Sequence, residues 1–186
     1  GSTPASPPAT TPALSRPAGS PTTRIVDDPA KPSPAGGIAR PNARWLNRHN
    51  TFVTTAKPEY KQFIEASPKH AHLRMDAGGH TSTMNWAETD ALGTISLAVA
   101  PGVDAALQSA ARKQLIGGAD EYLKVIAAQG FRTPLKPNAA GQYIWGSNSF
   151  VINNLLVIAL AYDFTKQQKY LDGVATGMDY LLGRNP

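Results

Sequence analysis

Tyr143-Ile-Trp-Gly-Ser-Asn-Ser149, running into Phe150-Val-Ile-Asn-Asn-Leu-Leu-Val-Ile-Ala-Leu-Ala-Tyr162, is the stretch that decides how this chain folds. A Gly- and Ser-bearing loop gives way to a helix predicted over about 149–162. Val151, Ile152, Leu155, Leu156, Val157, Ile158, Ala159 and Leu160 cover most of its sides, so neighbours are expected on several faces. A turn near Thr165 follows. The next helix carries Tyr170, Leu171, Val174, Met178, Leu181 and Leu182 at helical spacing, with Gly183 as its C′ glycine and Pro186 just beyond. So short a turn predicts an antiparallel helix pair.

Upstream, Asp104 is placed to cap a long helix whose face holds Leu107, Ala111, Leu115, Ala119, Tyr122, Leu123 and Ile126, with Gly130 as its C-cap. Gly117 and Gly118 lie inside it at a cost of about 1 kcal/mol each relative to alanine, and close approach of a neighbouring helix would account for the pair. An earlier helix is predicted over about 85–98, with Trp86, Leu92, Ile95 and Leu97 as core candidates and Pro101-Gly102 as its break. Pro58 opens another, with Tyr60, Phe63 and Ile64 on one side and Pro68 as its stop. Residues 68–83 are polar and read as a loop. No strand signal competes with these, so the reading is all-α with about five helices.

Residues 1–41 hold ten of the 16 prolines among Thr, Ser, Ala and Gly. Too few large apolar residues are present to offset ordering entropy, so a disordered linker or insertion is expected there, ahead of a helical domain over 42–186. A Pro-x-x-Pro docking motif is the competing reading. Cysteine is absent, which excludes disulfides and thiolate metal sites. No apolar run is long enough to cross a bilayer, and the opening residues lack the pattern of a signal peptide.

The net charge of +5 is unevenly spread. Arg16, Arg24, Lys31, Arg40, Arg44 and Arg48 face only Asp27 and Asp28 in the first 50 residues, and the rest is nearly neutral. No clustered basic face remains for nucleic acid. His70, His72 and His80 suggest a metal, but their irregular spacing and the lack of a matching carboxylate set argue against one. Neither metal nor cofactor is expected.

Four segments in order carry a resemblance: Met84-Asn-Trp-Ala-Glu-Thr-Asp-Ala-Leu-Gly-Thr-Ile-Ser-Leu97, Tyr143–Ser149, Ala161-Tyr-Asp-Phe-Thr165 and Met178-Asp-Tyr-Leu-Leu-Gly-Arg-Asn-Pro186. Over roughly 45–186 the sequence resembles the C-terminal part of the catalytic domain of glycoside hydrolase family 9, mainly endo-β-1,4-glucanases. The resemblance implies part of an (α/α)₆ toroid, a secreted enzyme and inverting hydrolysis of β-1,4-glucans. Inversion needs two carboxyl groups separated by roughly 6.5–9.5 Å, one holding its proton and one ionised. In the family these are an aspartate pair within Asp-Ala-Gly-Asp and a glutamate that follows Leu-Leu-Gly-Arg-Asn-Pro.

Here Asp76-Ala77-Gly78-Gly79 matches only three letters of the first motif, in the wrong surroundings, and the sequence stops at Pro186 before the second. Asp76 therefore reads as a polar loop residue. No catalytic residue is expected within these 186 residues, and the chain alone is expected to be inactive. The resemblance makes Trp145 the substrate contact, stacking its indole on the apolar face of a glucosyl ring, with Tyr143 as a companion. A packing role is the alternative for each. Asn148 and Ser149 read as capping residues, and Arg184 and Asn185 as ordering the turn after the last helix. A non-catalytic carbohydrate-binding module using Trp145 is the alternative function. An incomplete toroid would leave an open apolar edge prone to self-association.

Overall fold

The computed structural model describes residues 41–67 and 73–184, with side chains from Leu46 onward. The expected disorder falls outside these over residues 1–40, as do the roles given to His70, His72 and Asn185, while Pro41, expected to end the linker, is the first residue of a helix. Among the described residues the chain is all-α: α1 (Pro41–Thr55), α2 (Pro58–Glu65), α3 (Asp90–Val99), α4 (Ala105–Ala128), α5 (Ser147–Thr165) and α6 (Gln168–Asp179), the last running into a π-turn, Tyr180–Arg184. The sole β-type pairing among them is an isolated bridge between Asp76 and Ser82.

α1 is a sixth helix beyond the five expected. Its sequence is polar, and Thr51, Thr54 and Thr55 each donate to the carbonyl four residues back, so no apolar stripe betrays it. His49 and Phe52 nevertheless enter the core. Arg48 lies 4.3 Å above the Phe63 ring of α2, and Ser96 of α3 donates to Asn50 at 3.1 Å. Ala56, at φ 53°, ends α1, and Pro58 then occupies the first turn of α2 as its sequence predicts.

α3 starts at Asp90, five residues later than predicted. Its last carbonyls are closed by side chains of α4: Arg112 Nε donates to Ala98 O at 2.9 Å and Gln108 Nε2 to Ala100 O at 3.0 Å. Asp104 caps α4 as expected, accepting from Ala106 and Leu107 backbone N–H groups. The predicted inner face is buried at Leu107, Ala111, Leu115, Ala119, Tyr122 and Ile126, while Leu123 is partly covered. Gly130 is not the cap; Gln129 ends the helix in extended backbone, and Arg132 takes the left-handed turn at φ 54°.

α5 begins two residues earlier than predicted and runs three residues longer. α6 folds back on it through Lys166 at φ 56° and Gln167. Gly173 faces Ile158 and Gly177 faces Leu155, so numbering rises along one helix as it falls along the other, and the pair is antiparallel as predicted. The stripe expected to bury α6 does so only in part, at Tyr170 and, less fully, at Val174 and Leu181. Leu171, Met178 and Leu182 are exposed, and the buried positions are Tyr170, Gly173, Gly177 and Tyr180. A Cβ on Gly173 would stand 2.4 Å from Leu123 Cδ2, and one on Gly177 2.4 Å from Leu155 Cδ2. The absent side chains let α6 settle between α4 and α5.

Asp120 of α4 fixes that seat, accepting from Lys169 Nζ at 2.7 Å and the Tyr170 hydroxyl at 2.9 Å. Burial alone would raise its carboxyl, but these two donors outweigh it and hold the group below the usual carboxylate value. Gly183 lies inside the π-turn rather than at a helix C′ position, while Arg184 donates to Thr176 O and ties the turn down as expected.

The two kinds of helical glycine should respond oppositely. Gly117 is not closely approached: nothing lies within 4 Å of where a Cβ would stand, so Gly117→Ala should stabilise by roughly 0.5–1 kcal/mol in urea unfolding. Gly177→Ala drives a methyl into buried Leu155 and should cost about 1–2 kcal/mol net.

Candidate functional site

Two neighbouring asparagines on α5 organise the ground around its N-terminal end. Asn154 is fully buried, and its amide donates to Thr81 O at 2.8 Å and to Pro134 O at 2.9 Å. Asn153 donates to Met84 O at 3.3 Å. Phe150, in the first turn of α5, lies 6.0 Å from the His80 ring in an edge-on arrangement. The loop over 73–89 and the loop over 129–146 are thus both held against the first two turns of α5.

The first of these loops is no plain polar connection. Leu73, Ala77, Ser82, Thr83 and Met84 are buried. The Ala77 amide donates to Ser82 O and the Ser82 amide to Met75 O, closing a small loop on itself. Gly78 requires its left-handed φ of 67°, and a Cβ there would meet Asn85 Nδ2 at 2.8 Å. From below, Gly118 admits Leu73 and Met75, whose atoms would stand 2.9 and 3.3 Å from its Cβ. The close approach predicted at Gly117-Gly118 therefore occurs at the second glycine and is made chiefly by this loop. Tyr122 of α4 lies beneath it, and burial drives its hydroxyl well above the usual tyrosine range, only partly offset by Thr83 and Ser82.

Glu88 binds the loop together. Its carboxylate accepts from Arg74, from the Gly78 amide and from Asn85 Nδ2 at 3.1 Å. Asn85 Oδ1 in turn accepts from the Ala87 and Glu88 amides at 2.8 and 2.9 Å. Arg74 Nε also lies 3.8 Å from Asp76 and 3.9 Å from Asp90. The Asp76 side chain is 86% exposed, at the bridge to Ser82. Trp86 corrects the sequence reading: it does not open a helix into the core but stands 82% exposed on the braced segment between Asn85 and Glu88. The apolar pattern of α3 begins only after the Asn85 side chain has closed its turn, so the indole falls outside the helix.

The second loop leads to Trp145. Asn138 pins a tight turn by accepting from the Ala140 and Gln142 amides at 3.0 and 2.9 Å, with Gly141 at φ 76°. Tyr143 is half-buried. Its hydroxyl donates to Gln129 Oε1 at 3.2 Å, and it neighbours Tyr180, whose own hydroxyl is pushed up by burial and by Tyr143. Ile144 also packs against the core. Trp145 then points out, 96% exposed. Gly146, at φ 72°, turns the chain into α5, and the Ser149 hydroxyl donates to its carbonyl at 2.8 Å. Ser149 is thus a first-turn residue, and Gly146 holds the cap position expected of Asn148 and Ser149. Trp145 and Trp86 both stand at the N-terminal end of α5. Among the described residues no group of three or more His, Asp or Glu side chains could hold a metal ion.

The pattern of Glycosyl hydrolase family 9 matches residues 43–186. Cellulose 1,4-beta-cellobiosidase of Acetivibrio thermocellus is 42% identical over 147 residues, spanning 72% of this chain and 16% of that protein. Endoglucanase C of Cellulomonas fimi is 37% identical over 138 residues, spanning 72% of this chain and 12% of that protein. The crystal structure of GH family 9 endoglucanase J30 superposes with a TM-score of 0.65 at 24% identity, covering 77% of this chain and 25% of its own. That likeness shows the fold, part of an (α/α)₆ toroid. The chain spans less than a fifth of either named relative.

Because one buried amide ties both loops to α5, Asn154→Ala should destabilise by about 2–3 kcal/mol, the scale of orphaning one buried and one part-buried carbonyl and opening a small void. Denaturant unfolding measures this. A loss below about 1 kcal/mol, the net worth of a single ordinary hydrogen bond, would show that the loops hold without the clamp.

Proposed function

Because the chain belongs to glycosyl hydrolase family 9, we propose that it forms part of the cleft wall of a β-1,4-glucan hydrolase, with Trp145 as the sugar platform. The carrying observation is Trp145 itself: nearly all of its indole faces solvent, on a loop fixed by Gly146, the Asn138 turn and the Tyr143–Gln129 bond. A large apolar ring held rigidly in water suits the C–H face of a pyranose, and the indole N–H can meet a hydroxyl. Tyr143 supports the platform from beneath and is assigned the lesser contact with substrate.

The relatives are named as cellulases, and cellulose or a related β-glucan is the proposed substrate of the whole enzyme, hydrolysed at internal bonds with inversion. A polymer of that size is met outside the cell, which supports a secreted protein. Among the described residues no helix is long and apolar enough to cross a membrane. The domain so proposed spans residues 42–186, and residues 1–41 form a linker or insertion. These residues contribute binding surface rather than the acid and base: Glu88 is engaged by Arg74, Gly78 and Asn85, and Asp76 and Asp90 face the same Arg74 guanidinium. Ile152, Leu156, Met178 and Leu182 are exposed on α5 and the chain after it, an apolar edge that supports self-association of the isolated chain.

Two measurements test this reading. The purified 186-residue chain should release no reducing sugar from carboxymethylcellulose; clear hydrolysis would overturn the assignment of the chemistry elsewhere. Cellohexaose titrated into the ¹⁵N-labelled chain should shift the Trp145 indole resonance, and Trp145→Ala should weaken that weak binding about tenfold, the scale of one good aromatic contact. Tight, micromolar binding that depends on Trp145 would favour the non-catalytic module instead.

A further inference from the structure

A hollow of about 330 Å³ lies along the first half of α4, lined by Ala105, Gln108, Ser109, Arg112, Lys113 and Ile116. Their spacing of three and four places them on one face of the helix, away from the buried Leu107, Ala111 and Leu115. The volume is near the lower end of ligand pockets, which run from about 300 to 1,000 Å³. The lining carries two cations and no carboxylate. Among the described residues neither Arg112 nor Lys113 forms an ion pair. The acids closest in sequence to the hollow and to Phe164 are engaged elsewhere: Asp104 takes the first amides of α4 and lies 3.9 Å from Lys61, and Asp163 is 3.2 Å from Lys166.

Arg112 is held in place before any ligand arrives. Its Nε donates to Ala98 O at 2.9 Å, and its guanidinium carbon lies 5.0 Å from the centre of the Phe164 ring. With Nε committed, the two terminal nitrogens form the edge left for a ligand, and such an edge matches the two oxygens of a carboxylate. Gln108 is fixed in the same manner through Nε2 on Ala100 O, which leaves its carbonyl oxygen as an acceptor. Lys113 is exposed beside them and adds a second charge, Ser109 adds a hydroxyl, and Ile116 and Ala105 give an apolar wall. A neutral sugar would leave both cations without a counter-charge. A bare inorganic anion would leave the apolar wall unused. Two cations are too few for a nucleic-acid backbone.

We propose that this face of α4 binds a small organic carboxylate, with its oxygens on Arg112 and Lys113 and its apolar body against Ile116. The site is separate from the sugar surface. The loop that carries Trp145 departs after Ala128, twelve residues beyond Ile116 and so about 18 Å farther along the helix axis. The assignment therefore goes beyond the glucan reading and does not rest on it.

Titration of the ¹⁵N-labelled 186-residue chain with benzoate, with its neutral analogue benzamide and with inorganic phosphate tests this. Benzoate should shift the Arg112 Nε–H signal and the amides of Ser109, Lys113 and Ile116, and leave the Trp145 indole unmoved. Benzamide should shift none of them, and phosphate should leave Ile116 in place. Raising the salt concentration should weaken benzoate binding, because the cations stand at the surface. Lys113→Gln should weaken it about threefold, the scale of one exposed ion pair, with the melting transition unchanged. Arg112→Lys keeps the charge but loses the paired donors and should weaken it about tenfold. Arg112 also closes α3, so Lys113→Gln carries the test if that variant fails to fold. No shift with benzoate overturns the proposal. Equal shifts with benzamide would reduce the site to an apolar hollow, and equal shifts with phosphate at all four signals would reduce it to general attraction of anions; either result overturns it, as does an unchanged affinity in Lys113→Gln.

Discussion

The buried amide of Asn154 is the constraint on which the arrangement of this chain depends. One side chain, with no exposed surface, donates to carbonyls that are 53 residues apart in sequence, Thr81 and Pro134. Carbonyls drawn into the interior need partners, and the Asn154 side chain supplies them here. α5 therefore acts as a post to which both loops are tied through Asn153 and Asn154. Removing the donor would leave the buried Pro134 carbonyl and the part-buried Thr81 carbonyl unpaired, which costs more than a typical hydrogen bond contributes.

A second constraint is spatial. α6 approaches α4 and α5 through Gly173 and Gly177 beside Tyr170, and half of its apolar stripe stays outside. Side-chain periodicity is legible in a sequence only where bulk marks the buried face. On α6 the buried face is marked by the absence of bulk at Gly173 and Gly177, so the pattern of Leu171, Met178 and Leu182 points to the wrong side. Those residues are the ones left exposed. Asp120, taking bonds from both Lys169 and Tyr170, then sets the rotation of α6 that the glycines permit.

Much of the fold was nonetheless readable. Asp104 announced the start of α4, Pro58 that of α2, and the helical period of Leu107, Ala111, Leu115 and Ala119 gave the inner face of α4, because each rests on local chemistry or on bulk. α1 escaped, since its core contacts come from His49 and Phe52 within a run of Asn and Thr. Trp86 was misread for a different reason. An indole just ahead of an apolar run looks like the first core residue of a helix, and only the Asn85 side chain, turning back onto the Ala87 and Glu88 amides, delays the helix and throws the ring outward. Asn at the residue before was the available signal, because it favours such a turn. Trp145 was easier, lying between a half-buried Tyr143 and a left-handed Gly146 in a loop whose composition already spoke of exposure.

The two loops carry a dense set of polar interactions. A hydrolytic acid must keep its proton near neutral pH, which takes an apolar pocket or a like-charged neighbour. Around Glu88, a guanidinium, a main-chain amide and an Asn amide donate to the carboxylate. It is built to hold a loop, and the loop is built to hold an indole. Trp145 is held by comparable means, through Asn138, Gln129 and Gly146. Polar interactions are thus concentrated on two loops that each present one exposed aromatic ring, Trp86 and Trp145.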